Sequence, residues 1–381
     1  MSGKKIRFMD ITLRDGEQAV GVIFTRREKA QIANLLAGIG VEAIEAGFPA
    51  LGSEEKACVK SVMEAAPKLP SGTPLEVYAF ARTRREDVQD AAECGVHGVL
   101  LSISTSDIQI ERKFHQTQAW VMEQMETAVD EAKQHELRFI VSAEDASRTD
   151  LEFLTQYYQK AEAMGAKMVR YCDSLGMDDP FRTYQRIKQL RSVIGIPIQM
   201  HTHNDFGMAT ANVIAAIRAG ADAVAASIGG LGERSGNSPL EEVVMSLKHL
   251  YNEEVSIDTS RFREVAEYVA GASQRAIPIW KAIIGTNVFA HESGIHADGI
   301  LKNPQNYEVF SPESVGLERQ MIIGKHSGSK AILHKFAAEF GIELDDATAA
   351  ALLAKVRDAA VELKRPLFDK ELMLLYRELQ G

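Results

Sequence analysis

Short apolar runs alternate with stretches whose apolar positions recur at helical spacing, and the alternation repeats eight times before about residue 252. The runs predict buried strands and the spaced stretches predict amphipathic helices. The expected strands are Ile6–Asp10, Ala43–Gly47, Glu76–Ala81, Gly98–Ile103, Arg138–Ser142, Met168–Cys172, Pro197–His201 and Ala223–Ser227. Helices are expected at about 26–39, 53–66, 84–94, 117–135, 149–164, 180–193, 207–219 and 239–251. Small turns at Gly38-Ile-Gly40, Gly95, Gly165 and Gly220 precede strands, as where helices end at glycine. Eight β/α units in roughly 250 residues predict an α/β fold of the (β/α)8 TIM-barrel type. A doubly wound sheet would show fewer units and a glycine-rich phosphate turn after its first strand.

The alternation stops near residue 258. The remainder reads as a mostly helical appendage, with helices at Arg261–Arg275 and near 329–340, 346–363 and 368–379, and a loop over Gly285–Gly299. The division expected is therefore 1–258 for the barrel and 259–381 for a helical region serving as lid or subunit contact.

Composition adds exclusions. With 381 residues, 45% hydrophobic and 25% charged, the chain has the makeup of a globular protein with a large core. A formal net charge of -10, with no basic stripe beyond Arg82-Thr-Arg-Arg85, argues against a nucleic-acid surface. Three cysteines without CxxC spacing indicate neither a disulfide framework nor a zinc ribbon. No apolar run approaches the ~18 residues of a membrane span, and Met1-Ser-Gly-Lys-Lys-Ile-Arg7 lacks a signal core. A cytoplasmic protein with neither membrane nor nucleic-acid partner is expected.

The chemistry gathers where the strands end, which in a barrel is one mouth. His201-Thr-His203 closes the seventh strand, and residues i and i+2 of a strand point to one side, so both imidazoles can share a metal ion. Asp15 would add an anionic ligand and leave positions open for substrate, as in a catalytic metal site. Asn237, in Gly229-Gly-Leu-Gly-Glu-Arg-Ser-Gly-Asn237, offers a carbonyl oxygen or is simply a turn residue. Such donors suit Zn, Mn, Co or Mg without selecting one. Arg14 can steady an oxygen gaining negative charge, or pair with Glu45 or Asp10. Glu144-Asp145 ends strand five and Asp173-Ser174 ends strand six. Arg82, after strand three, could meet a substrate carboxylate or lie in a surface ion pair. Cys172 lies within an apolar run with no neighbouring base and reads as core. His291-Glu-Ser-Gly-Ile-His296 and Gly324-Lys-His-Ser-Gly328 supply further acid or base candidates.

Four segments together resemble the metal-dependent acyl-CoA Claisen-condensing barrels, the isopropylmalate, citramalate and homocitrate synthases. They are Asp10-Ile-Thr-Leu-Arg-Asp-Gly-Glu-Gln18, His201-Thr-His-Asn-Asp205, Gly232-Glu-Arg-Ser-Gly-Asn237 and His291–His296. Glu144–Glu152, Gly207–Asn212 and Leu240–Met245 look most like the short homocitrate synthases of the nitrogen-fixation type. Gly47-Phe-Pro49 looks closer to the isopropylmalate branch, and Ser174 stands where the family commonly has Thr. The resemblance implies Asp15, His201, His203 and Asn237 as metal ligands and Arg14, Glu144 and His296 as catalytic groups, His296 as base. It implies Gln18 and Ser174 in the substrate pocket, acetyl-CoA as co-substrate, 2-oxoglutarate as acceptor, and a homodimer with shared active sites; Arg82 is the candidate partner for the acceptor's distal carboxylate. Another 2-oxo acid acceptor, an acyl-CoA lyase, or a catalytically silent metal-binding protein are the alternatives.

Overall fold

The computed structural model describes residues 5–381, so Met1 to Lys4 lie outside the described residues. Eight parallel strands close into a barrel: β1 (Arg7–Asp10), β2 (Ala43–Gly47), β3 (Glu76–Arg82), β4 (Gly98–Ser104), β5 (Arg138–Glu144), β6 (Met168–Asp173), β7 (Ile198–Thr202) and β8 (Ala223–Ala226). Closure is made by β1 on β8, with Phe8 opposite Val224 and Asp10 opposite Ala226. Each expected strand is present, and β5 runs two residues further than its apolar pattern, so Glu144 is its last residue.

The barrel helices are α1 (Arg26–Gly38), α2 (Ser53–Ala65), α3 (Arg85–Ala92), α4 (Gln118–Gln134), α5 (Leu151–Ala163), α6 (Pro180–Arg191), α7 (Ala209–Ala219) and α8 (Leu240–Leu250). Local chemistry sets their ends. Thr25 and Glu28 form a reciprocal capping box on α1. Asp150 and Asp179 accept backbone N–H groups at the starts of α5 and α6, and Pro180 takes the first turn of α6, where no donor is needed. Gly220 ends α7 at φ 113°, a conformation that costs a Cβ-bearing residue energy.

Inside the barrel, Met9, Ala43, Tyr78, Leu100, Ile140, Met168 and Ala223 pack as an apolar layer. Two residues on, along the same inward-facing side of four of those strands, stand Glu45, Ser102, Ser142 and Arg170. The barrel interior therefore changes from apolar to ionic in one strand step. That change is the floor of the site.

The chain divides into two compact units, Met1–Ile277 and Pro278–Gly381. Helix α9 (Phe262–Ser273) belongs to the first and packs on α1, so the first unit runs past the expected 258/259 division. The second holds α10 (Gly294–Lys302), α11 (Ser329–Lys335), α12 (Asp346–Leu363) and α13 (Asp369–Gln380), and a two-stranded parallel pair, β9 (Ala290–His291) and β10 (Gln320–Met321). Its core joins Ala297, Ile323, Ile332, Phe336, Leu352 and Val356. Part of the expected Gly285–Gly299 loop is helix α10. Two glycines and a serine mask it in sequence, while burial of Ala297 and Ile300 on one face holds it together. Among the described residues no helix is long and apolar enough to cross a membrane, and the three cysteines are free and buried.

Candidate active site

The carboxyl ends of the strands surround a cavity of about 260 Å3. Seven residues singled out in the sequence line it: Arg14, Asp15, Gln18, Glu144, Ser174, His201 and His203. The loop after β1 is held by Asp10, whose carboxylate accepts from Thr12 N at 2.8 Å and Thr12 Oγ1 at 3.0 Å. Thr12 Oγ1 in turn accepts from Ile228 N at 2.9 Å, tying this loop to the exit of β8. Arg14 and Asp15 thus leave a fixed turn. Burial pushes the Asp10 carboxyl up to about 7 against those hydrogen bonds.

Arg14 is buried and donates from Nε to Glu45 Oε2 at 2.6 Å and from Nη1 to Asp15 Oδ2 at 2.6 Å and Gln18 Oε1 at 3.2 Å. The guanidinium lies over the Phe80 ring, 4.8 Å from its centroid. Arg14 thus pairs with Glu45 and also lines the cavity. Burial alone would raise the Asp15 carboxyl, but the Arg14 guanidinium, helped by the hydrogen bond from Asn237, holds it well below the usual carboxylate range.

His201, next to last in β7, lies opposite Cys172 of β6, and His203 follows the strand with its N–H donated to Asp173 O at 3.2 Å. The two rings are 4.9 Å apart at 77°. His201 Nε2 is 3.8 Å from Asp15 Oδ2. Burial lowers the pKa of both imidazoles, so both are neutral near pH 7, the form that binds metal. Asn237 reaches the same place because His203 and Asn237 form an antiparallel bridge and Asn204 N donates to Gly236 O at 2.9 Å. The glycine-rich loop is shaped for that approach. A Cβ on Gly232 would lie 2.2 Å from Asn237 Nδ2, and one on Gly236, at φ 91°, would lie 2.1 Å from Gly230 O.

A divalent cation fits this donor set. Asn237 Nδ2 donates to Asp15 Oδ1 at 2.8 Å and Leu231 O at 2.9 Å, while Asn237 Oδ1 and the Nδ1 atoms of both histidines are buried without a hydrogen-bond partner. Orphaned buried acceptors are costly, and they surround a carboxylate held ionised. Asp205 is occupied elsewhere, taking Arg234 on both oxygens at 2.9 and 3.0 Å.

Cys172, expected in the core, is buried as expected and also lines the cavity. Its sulfur and one nitrogen from each histidine lie within 4.8 Å of one another. Burial pushes its thiol up to about 12. Ser174 Oγ accepts from Asp145 N at 2.8 Å and sits 3.2 Å from the Cys172 sulfur. Glu144 accepts from Lys113 Nζ at 3.0 Å. Arg82 does not line the cavity; it forms a two-pronged ion pair with Asp87 at 2.7 and 2.9 Å. His296 stands in the first turn of α10, exposed, its ring 4.3 Å from that of Tyr307. Arg170 also lines the cavity, with Glu45 beneath it, and neither had been singled out for a shared role. Alternation would have found Arg170 and Cys172, since both share a strand face with Ser174.

Residues 5–269 match the HMGL-like family and residues 283–364 match the homocitrate synthase post-HMGL domain-like family. The chain is 52% identical to 2-isopropylmalate synthase 2 of Caldanaerobacter subterraneus over 98% of its length and 96% of that protein. It is 43% identical to homocitrate synthase 1 of a Nostoc species, over 98% and 97%. Identity to the (R)-citramalate synthase CimA of Methanocaldococcus jannaschii is 38%, over 99% of this chain and 75% of that one. Among solved structures, hydroxymethylglutaryl-CoA lyase from Pseudomonas aeruginosa shares the barrel, at a TM-score of 0.63 and 20% identity over 72% of this chain and 95% of that one. The chain belongs to the HMGL-like family of metal-dependent condensing enzymes, in the group of isopropylmalate, homocitrate and citramalate synthases.

Proposed function

We propose that the enzyme joins the methyl carbon of acetyl-CoA to the keto carbon of a 2-oxo acid and releases CoA, with 2-oxoglutarate as acceptor and homocitrate as product. The observation that carries the reading is the meeting of Asp15, His201 and His203 beside Arg14 in one cavity, with Asn237 hydrogen-bonded to Asp15 and unsatisfied acceptor atoms on Asn237 and both histidines. These four residues would hold a divalent ion, which supplies Lewis-acid polarisation of the keto group. Zn, Mn, Co and Mg all suit the oxygen and nitrogen donors.

The chain's own groups divide the remaining work. His296 takes a proton from the acetyl methyl, and the resulting enolate carbon forms the new bond to the keto carbon. Arg14, kept rigid by Glu45 and Asp15, steadies the oxygen that gains the negative charge. Glu144, Gln18 and Ser174 position the acceptor by hydrogen bonding. Water then cleaves the thioester, leaving a carboxylate and free CoA, and that hydrolysis drives the reaction forward. The protein acts as a homodimer.

A second acceptor has its own support. The 52% relative is named an isopropylmalate synthase, and Arg82 is committed to Asp87, which favours an acceptor without a second carboxylate, such as 2-oxoisovalerate. Release of free CoA from acetyl-CoA by metal-loaded protein, across 2-oxo acids and with or without chelator, tests both. Chelator-sensitive release fastest with 2-oxoglutarate is expected. Silence with every acid would end the condensation reading.

A further inference from the structure

Arg170 is 1% exposed, yet one of its nitrogens is unused. Nε donates to Gln199 Oε1 at 2.6 Å, and Nη2 pairs with Glu45 Oε1 and contacts Met9 Sδ at 3.2 Å. Nη1 has no partner. A guanidinium stays charged at any pH a folded protein survives, and a buried N–H left unpaired costs stability, so the arrangement calls for an acceptor. Glu45 leaves no oxygen for that nitrogen, since its Oε1 pairs with Arg170 Nη2 and its Oε2 is 2.6 Å from Arg14 Nε.

Position narrows what that acceptor is. Arg170 lines the cavity and lies on the same face of β6 as Cys172, the residue opposite His201. It is therefore one strand step, about 6.6 Å, below the level of the histidine pair. Ser142 sits opposite it on β5. The four C–C bonds of an extended five-carbon 2-oxo diacid separate its terminal carbons by about 5 Å, so a diacid held by its keto end near the histidines places its far carboxylate at Arg170. A branched or short monoacid brings no acceptor to that depth.

We propose that Arg170 is the specificity residue of the acceptor site, binding the terminal carboxylate of a 2-oxo diacid through its free Nη1. The inference rests on the condensation reading for the acid's orientation. It also moves recognition from the mouth, where Arg82 stands, to the barrel floor. One charge-assisted hydrogen bond lost from a buried site predicts a change of about 10- to 100-fold.

The test compares wild type with Arg170→Lys, which keeps a cation against Glu45 but removes the fork that presents Nη1. Binding of 2-oxoglutarate and 2-oxoisovalerate to metal-loaded protein is measured calorimetrically without acetyl-CoA, and kcat and KM are measured with it. The expected result is tighter wild-type binding of 2-oxoglutarate. In the variant its Kd and KM should rise about 10- to 100-fold while those of 2-oxoisovalerate change less than about threefold. Equal losses for both acids, or wild-type preference for 2-oxoisovalerate, would overturn the proposal. If that variant does not fold, Arg170→Gln takes its place, and the same selective loss for 2-oxoglutarate is expected, with equal losses for both acids overturning the proposal. Absence of CoA release with every acid would remove the condensation reading, and the binding measurements would still decide Arg170.

Discussion

Asn237 donates its side-chain amide to Asp15 Oδ1 at 2.8 Å, joining loops 222 residues apart in sequence. The bond fixes one carboxylate oxygen and turns the Asn237 carbonyl free, so a single side chain both orients a ligand and offers one.

Replacing Asn237 by Ala removes both roles. Divalent-metal affinity, followed by chelator competition, is expected to fall about 10- to 100-fold with the fold intact. Gly232→Ala should act the same way at a distance, since its Cβ would displace Asn237. Unchanged metal affinity in both variants would rule out Asn237 from the metal site.

Glu45→Gln strips the shared carboxylate from two buried guanidiniums, Arg14 and Arg170. Removing one partner of a buried ionic cluster typically costs about 3–5 kcal/mol, so urea unfolding should shift by an amount of that order. A shift below about 1 kcal/mol, the worth of a surface pair, would show that water screens the cluster.

Asp10 supplies a pH dependence. Its folded carboxyl is pushed up to about 7 by burial, whereas an unfolded aspartate titrates near 3.9. Between those values the folded chain keeps a proton that the unfolded chain has released. The contribution to stability is full below about pH 4 and is lost as pH rises through about 7. Asp10→Asn cannot titrate, so the stability of wild type minus variant should decline by roughly 1 kcal/mol per pH unit across that window. A pH-independent difference in unfolding curves would contradict the burial of an uncompensated carboxyl there.

His296→Asn should abolish exchange of the acetyl methyl protons of acetyl-CoA with solvent deuterium while leaving metal and 2-oxo acid binding within about twofold of wild type. Exchange at the wild-type rate would assign the base to another residue. The mass of the native protein in solution, expected at twice the chain mass, checks the dimer in the same preparation.

The barrel was legible because eight apolar runs, each followed by a helical pattern, leave few other ways to bury both sheet faces. The histidine pair was legible for a similar reason, since His201 and His203 are two apart at a strand end and must share a side. Helix α10 was less so: its two glycines lower local propensity, and burial of Ala297 in the second unit's core and of Ile300 on the same face overrides that.

What the sequence by itself determined was periodicity, and with it the strands, the helices and the mouth where Asp15, Glu144, Ser174 and the histidines gather. What tertiary structure alone decided was pairing across the barrel. Arg82 closes on Asp87 five residues away, while Arg170 meets Glu45 of β2 and Gln199 of β7 and keeps one nitrogen free. Arg82 ends β3 and Arg170 lies within β6. Which of them is spent and which is available depends on barrel closure, because only closure sets which side chains share the low-dielectric interior.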